Sequence, residues 1–353
     1  MTRPAIEVVH VGSACRDIAP EDPRGWRIGG GVMYAALTTA RLGLRTAAVV
    51  GVDGEAADAA ELAMLGEAGV DILRVDLPEG PVYHNVETPT GRVQTCVQRG
   101  VPLPLATLPS AWMAAPGWSI VPVAGEVRDD WAEVIPADAH VAVAWQGFLR
   151  DLRAGEHVRQ LAPHPSPILE RADLIGVSRH DVGRDIPLPA LERLLRPGAD
   201  LLVTEGDAGG LLIRLGTDDP AELLRYRSPA SGHEVDPTGA GDTFLAALHA
   251  SGIRAAVTAA TAPTPATAAT APTPAAPGAG AATATMRRAI RDGLDLRFAA
   301  AAGSLVVEDW GLAGVPDRAA VTTRLERDAM PGTVIPIPAE DASRFWSEGP
   351  PAA

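Results

Sequence analysis

The chain has 353 residues, a net charge of −14 and a pI near 5.0, length enough for one large α/β domain with an appendage or for two smaller ones. So acidic a balance leaves no basic surface for a nucleic acid or an anionic lipid, and neither a nucleic-acid nor a membrane partner is expected. The two cysteines, Cys15 and Cys96, fall in no C-x-x-C or Cys/His spacing, which argues against a disulfide framework or a structural zinc and for free thiols in a reducing compartment. Met1 to Gly12 lacks a signal-peptide layout and no uninterrupted apolar run could span a bilayer, so the cytoplasm is the expected location.

In chain order, Ile6 to Gly12 reads as a buried first strand. Asp17 and a Pro/Gly loop follow, then Gly29-Gly30-Gly31 opens a helix over Val32 to Leu42 that Gly43 closes. Thr46 to Val52 reads as a second strand, Gly54 to Gly69 as an Ala-rich helix and Ile72 to Val75 as a third strand. Strand and helix alternate, so a mostly parallel sheet with helices on both faces is expected. Between Val82 and Val97 the pattern changes to alternation around Thr88-Pro89-Thr90-Gly91, the mark of a hairpin standing apart from that sheet.

The α/β pattern then resumes, with strands expected at Ser119 to Val123, His140 to Ala144, Leu174 to Val177 and Leu201 to Thr204, and Gly210 to Arg214 as a hairpin partner. Leu188 to Leu195 has helical spacing. Ala255 to Thr285 carries no charge, contains five prolines and repeats TAATAPTPA from Thr258 and again from Thr267. Too little apolar surface is available there to offset the entropy of ordering, so a disordered insertion dispensable for chemistry is expected. Met286 to Gly303 returns to helix, and the Pro-rich tail from Pro331 is expected to lie loosely on the surface. One large domain is expected over 1–328, with the hairpin region near 78–100 set off from it and a Pro-rich tail at 329–353.

Chemistry concentrates in Asp236-Pro237-Thr238-Gly239-Ala240-Gly241-Asp242-Thr243-Phe244, followed by the helical run Leu245 to Leu248. Pro237 and the glycines stop regular structure, so Gly239 to Asp242 should form the first turn of a helix. Backbone N–H groups there have no intrahelical partner and point outward with the positive end of the helix dipole, which suits an anion such as phosphate. Asp242 lies in the same turn. A loop that neutralises phosphate beside a carboxylate able to take a hydroxyl proton is the minimum apparatus for phosphoryl transfer to an alcohol.

The nonapeptide resembles the C-terminal signature of the ribokinase-like (PfkB) carbohydrate kinases, D-[TP]-[TN]-G-A-G-D-x-F, at every fixed position. The resemblance implies a ribokinase-like three-layer α/β fold with a small β lid, Asp242 as catalytic base, and Gly239, Ala240 and Gly241 as the anion hole. It covers most of residues 6 to 325 outside the insertion. Gly29-Gly30-x-x-x-Tyr34-x-Ala36, with Ala40-Arg41-Leu42-Gly43 and Gly51-x-Asp53, is similar to the family's first signature. There the resemblance implies acceptor contacts from Asp17 and the backbone of Gly29, Gly30 and Gly31. Tyr34 stands where the family usually has Asn, so an acceptor other than ribose held in the usual way is expected.

Ser178-x-x-Asp181 takes the place of the family's N-x-x-E segment, which implies phosphate contact from Ser178 and hydrated Mg²⁺ at Asp181. Thr204-x-Gly206-x-x-Gly209 resembles the element that binds nucleotide phosphates at a strand end. Asp236 and the Thr238 carbonyl are implied as holders of a monovalent cation, K⁺. Trp112 to Val127 and Trp145 to Arg150 resemble a branch similar to inositol and other cyclitol kinases, and they would place Glu126 and Gln146 at the acceptor pocket. The tryptophans read as packing residues.

The reading that results is an ATP-dependent kinase of a sugar, cyclitol or nucleoside-like polyol, with a homodimer through the lid implied by the family. A catalytically silent relative that binds a sugar or nucleotide remains open, supported by Tyr34 and the altered N-x-x-E segment. A dinucleotide dehydrogenase is disfavoured, because Gly12-Ser13-Ala14-Cys15-Arg16 lacks the G-x-G-x-x-G turn.

Overall fold

The computed structural model describes residues 5–88, 91–183, 185–216, 221–261, 279–327, 334–338 and 346. Its central ten-stranded sheet runs in the order Val334–Ile337, Glu222–Tyr226, Gly210–Arg214, Asp200–Thr204, Leu174–Ser178, His140–Ala144, Gly117–Ile120, Val8–Ser13, Thr46–Asp53, Asp71–Leu77. Every neighbouring pair from Asp200–Thr204 to Asp71–Leu77 is parallel, and the strands beyond Asp200–Thr204 add antiparallel at that edge.

Both faces of the sheet are covered, which is why its strands read as nearly continuous apolar runs. Val8, Ala48 and Val50 enter one core with the helices Gly31–Arg41, Ala240–Thr261 and Leu296–Val306. Val9, Val11, Ala47 and Val49 enter the other with Trp118, Trp131, Trp145 and Leu191. Alternate residues of one strand therefore serve opposite layers. Each such valine or leucine, once fully buried, contributes roughly 1.5–3 kcal/mol. The tryptophans of this second layer pack as the sequence suggested.

A second sheet of five strands stands over one end of the first, in the order Glu156–His157, Gly91–Gln98, Val82–Thr88, Cys15–Ile18, Trp26–Gly29. The expected hairpin is present, with Val86 opposite Val93. It stands apart from the ten-stranded sheet, as expected, and is joined by further strands. Tyr83 pairs in parallel with Asp17, so the lid is continuous with the chain segment that carries that carboxylate.

Four expectations change in extent. Residues 54–58 form a turn and the following helix is only Ala60–Glu67, because the Asp53 carboxylate ties the turn by accepting from the Ala56 N–H at 3.0 Å and from Arg16 Nη2 at 2.8 Å. The helix that begins at Ala240 runs on to Thr261, and helix resumes at Ala279. Of the segment expected to be disordered, 255–261 and 279–285 are thus helical, since Ala-rich sequence propagates a helix until proline stops it; residues 262–278 lie outside the described residues. Met286 to Gly303 is not one helix: Asp295 accepts from the Arg297 and Phe298 N–H groups, both at 3.0 Å, and starts a new helix at Leu296.

The tail, too, is partly anchored. Val334–Ile337 pairs antiparallel with Glu222–Tyr226. Trp346 is buried, its indole N–H donates to the Ile186 carbonyl at 2.6 Å, and the Arg179 guanidinium lies 3.9 Å from its ring centre.

Candidate active site

A cavity of about 420 Å³ opens between the lid and the carboxyl ends of the parallel strands, the position where open α/β sheets bind ligands. Ala144, Ser178 and Thr204 reach it from three strand ends; Gly30, Gly31 and Tyr34 from the first helix; and Thr238 to Asp242 from the start of the long helix. Asp17, Tyr83, Asn85 and Gln94 face it from the lid.

The long helix begins as the sequence required. Gly239 has φ 79°, a left-handed value that glycine tolerates, and its carbonyl accepts the Thr243 N–H at 2.8 Å. Ala240 N–H turns back to the Pro237 carbonyl at 3.3 Å. Helix geometry then leaves the N–H groups of Gly241 and Asp242 without an intrahelical acceptor. A methyl placed on Gly241 would meet no atom within 4 Å. Glycine there leaves the approach to those amides open.

Asp242 lies over Gly31: its Oδ1 is 3.0 Å from where a Gly31 side chain would begin. The two glycine-rich signatures, about two hundred residues apart in sequence, thereby build one wall. Burial pushes the Asp242 carboxyl up to about 6; the Arg150 guanidinium opposes the rise and the Asp181 charge adds to it. A carboxylate so tuned is ionised at neutral pH and still basic enough to accept a proton.

Tyr34 is buried, and its ring fills the place a Gly239 side chain would need. Burial holds its phenol well above the usual range, with the Asp17 and Asp236 charges adding to the effect. It is a neutral surface between the Gly239–Asp242 turn and the lid. At the lid, Gln94 Nε2 donates to Asn85 Oδ1 at 2.7 Å and Asn85 Nδ2 donates to Asp17 Oδ1 at 3.0 Å. A relay of two amides so fixes the rotamer of the Asp17 carboxylate. Gly29 is not on the cavity wall; an added Cβ would collide with Asp17 Oδ2, so its role is to leave room for that carboxylate.

On the opposite side, Ser178 Oγ accepts the His180 N–H at 3.2 Å, which leaves its hydroxyl proton to donate. Asp181 is raised by burial and partly restored by Arg150 and by Gln146, whose Nε2 donates to its two oxygens at 3.3 and 3.1 Å. Among the described residues no group of three or more His, Cys, Asp or Glu could cage a metal. Mg²⁺ needs no such cage: it keeps several waters and takes one or two carboxylates with substrate phosphates, and Asp181 on this wall fits that demand.

Three sequence expectations fall elsewhere. Glu126 lies behind the wall, where its carboxylate accepts the N–H groups of Ser13 at 3.0 Å and of Ala124 at 2.8 Å and faces that of Val123; it holds a loop and does not line the cavity. Asp236 is likewise off the wall, accepting from Thr238 N–H at 2.9 Å and Gly311 N–H at 3.2 Å, so it shapes the loop ahead of the Gly239–Asp242 turn. Gly209, φ 90°, packs beneath the Tyr226 carbonyl, and a side chain there would strike it. Thr204 and Gly206, by contrast, do reach the cavity.

Sequence reasoning passed over Asn85, Gln94 and Arg150 as wall residues. Asn85 and Gln94 sit on alternating strands where polar positions look like ordinary solvent-facing ones, and only the tilt of the lid turns them inward. Arg150 was visible solely as the end of a short motif.

No family model matches the chain, and no curated protein matches it in sequence. Solved structures match it in fold. The ribokinase of Giardia lamblia superposes with a TM-score of 0.61 at 16% identity, covering 92% of this chain and 99% of that one. The Arabidopsis thaliana ribokinase complexed with ribose and ATP gives 0.57 at 18%, covering 92% and 99%. A pyrophosphate-dependent kinase in the ribokinase family, complexed with a pyrophosphate analogue and myo-inositol, also gives 0.57 at 18%, covering 90% and 99%. The chain has the ribokinase-like α/β fold over nearly the full length of these proteins.

Proposed function

We propose that this protein is a small-molecule kinase that moves the γ-phosphoryl group of ATP to a hydroxyl of a polyol, a sugar, cyclitol or nucleoside-like compound. The observation that carries the reading is Asp242, a carboxyl raised to about 6 by burial, set in the same helical turn as the outward amides of Gly241 and Asp242 on the wall of a shared cavity. The ribokinase-like fold and the ATP and ribose of one structural neighbour support it.

The acceptor would lie under the lid, its hydroxyls taken by Asp17 in the orientation that Asn85 and Gln94 impose. One hydroxyl oxygen faces Asp242, which accepts its proton as that oxygen bonds to phosphorus. The bond from phosphorus to the bridging oxygen breaks, and its electron pair leaves with ADP. The amides at the helix start and the Ser178 hydroxyl hold the charge of the moving group. Asp181 would hold a hydrated Mg²⁺, which would supply further charge neutralisation. Transition states of this kind are loose, so position and electrostatics account for most of the acceleration.

ADP release with ATP and a panel containing ribose, myo-inositol and nucleosides tests the reading, run beside Asp242→Asn. Turnover that this variant retains at the wild-type rate overturns the assignment of the base. A silent binder would show ligand affinity and no ADP release in either protein. Two further expectations belong to the same reading. Cys15 and Cys96 are unpaired and buried, which fits the reducing cytoplasm. Val86, Val93 and Val97 are exposed on the lid, which supports pairing of two copies there; sedimentation of wild type and Val93→Lys measures it.

A further inference from the structure

The sequence contains no lysine; its 30 fixed cations are all arginines. Phosphate charge in this protein therefore has to be met by arginine, backbone amides, histidine or metal. Around the cavity the described residues include three carboxylates, Asp17, Asp181 and Asp242, and one guanidinium, Arg150; the His180 imidazole is the remaining basic group. A highly charged phosphate donor entering there meets a wall that is acidic in sum, so the single guanidinium is placed where it matters most.

Arg150 is also held in place. Its Nη1 donates to the Val123 carbonyl at 3.0 Å, the same carbonyl that accepts the Tyr83 hydroxyl at 2.8 Å, and its Cζ lies 5.7 Å from the Tyr83 ring centre. The Nε and Nη2 edge has no protein acceptor among the described residues and is left for a ligand. Its charge is felt at Cys15 beside the lid, at Asp242 and at Asp181. These groups belong to the acceptor side, the centre and the donor side of the cavity. Arg150 lines the same cavity as all three.

We propose that Arg150 is a catalytic residue: its guanidinium edge contacts the phosphoryl group in transit, opposite the amides of Gly241 and Asp242. The inference rests on the kinase reading, because it assigns Arg150 to the moving group and not to the acceptor. Planar, permanently charged arginine grips two phosphate oxygens at once, and here it needs no side-chain reorganisation beyond the contact already made to Val123.

Two measurements test it, and the first needs no turnover. Isothermal titration with pyrophosphate in the absence of metal, which offers the same phosphate chemistry, should show affinity at least about tenfold weaker in Arg150→Met than in wild type, as for loss of one charge-assisted bidentate contact. With ATP or pyrophosphate as donor and the polyol that turns over best, kcat should fall roughly 10²- to 10³-fold while the acceptor KM changes less than about threefold. Methionine keeps the apolar stem over Tyr83, and thermal melting checks the fold. Should that variant fail to fold, Arg150→Lys decides, since it keeps charge and stem but loses the fork: pyrophosphate affinity and kcat should both be reduced. Unchanged pyrophosphate affinity, or a defect confined to the acceptor KM, overturns the assignment and gives Arg150 to the acceptor. Wild-type protein that binds pyrophosphate but transfers phosphate to no alcohol overturns the kinase reading itself, an outcome distinct from a silent Arg150.

Discussion

The two walls of the cavity are built on different principles. At the start of the Ala240–Thr261 helix the polar groups offered to the cavity are backbone amides, fixed by the helix and by Gly239 at φ 79°. At the lid they are side chains, Asp17 held by Asn85 and Asn85 by Gln94. The first wall suits a phosphoryl group, whose shape is the same whatever the substrate. The second suits a polyol, whose hydroxyl pattern varies, and side chains can change without disturbing the fold. One wall should govern rate and the other acceptor choice.

The largest expected effect comes from the rate wall. Asp242→Asn should lower kcat roughly 10²- to 10⁴-fold, the range for loss of a general base, with ATP binding nearly intact. The same variant should be more stable. A carboxyl raised to about 6 in the fold binds its proton more tightly native than unfolded, so stability is full below the unfolded value near 4 and declines as pH rises through 6. At pH 7 the ionised side chain costs on the order of 2–3 kcal/mol, which the asparagine removes. Calorimetric melting at pH 7 would show the inactive variant with the higher Tm; a lower one would mean that Asp242 is an ordinary structural carboxylate.

A second, smaller effect follows from the same group. In wild type kcat/KM should decline on the acid side with a midpoint near pH 6, falling about tenfold per pH unit below it. An acid limb near 4 would place the base in water and dissolve the contrast between the walls.

The acceptor wall should respond differently. Asn85→Ala removes the bond from the Asn85 amide to the Asp17 carboxylate, so the acceptor KM should rise about tenfold, as for loss of one hydrogen bond to a charged group, with kcat changed little. If kcat falls instead, the lid takes part in chemistry and the division between walls fails.

Smallest in kinetics is Glu126→Gln. Glu126 serves the N–H groups of Ser13, Val123 and Ala124 behind the cavity, so the amide should destabilise the fold by about 1–3 kcal/mol and leave KM for the acceptor unchanged. A selective rise in acceptor KM would return Glu126 to the pocket from which the structure removes it.

Much of this protein is written locally. The parallel-sheet α/β architecture follows from alternating apolar runs and helical spacing, and the base turn follows from Pro237, Gly239 and Gly241, because proline and glycine restrict or free the backbone wherever they stand. Tertiary structure alone decided what those pieces face: that Gly31 makes space for Asp242, that Asn85 and Gln94 turn inward, that Arg150 enters the cavity while Glu126 and Asp236 do not, and that part of the tail joins the sheet. Each of these depends on residues far apart in the chain meeting at a particular tilt and register, and sequence spacing carries no record of the angle at which two elements pack.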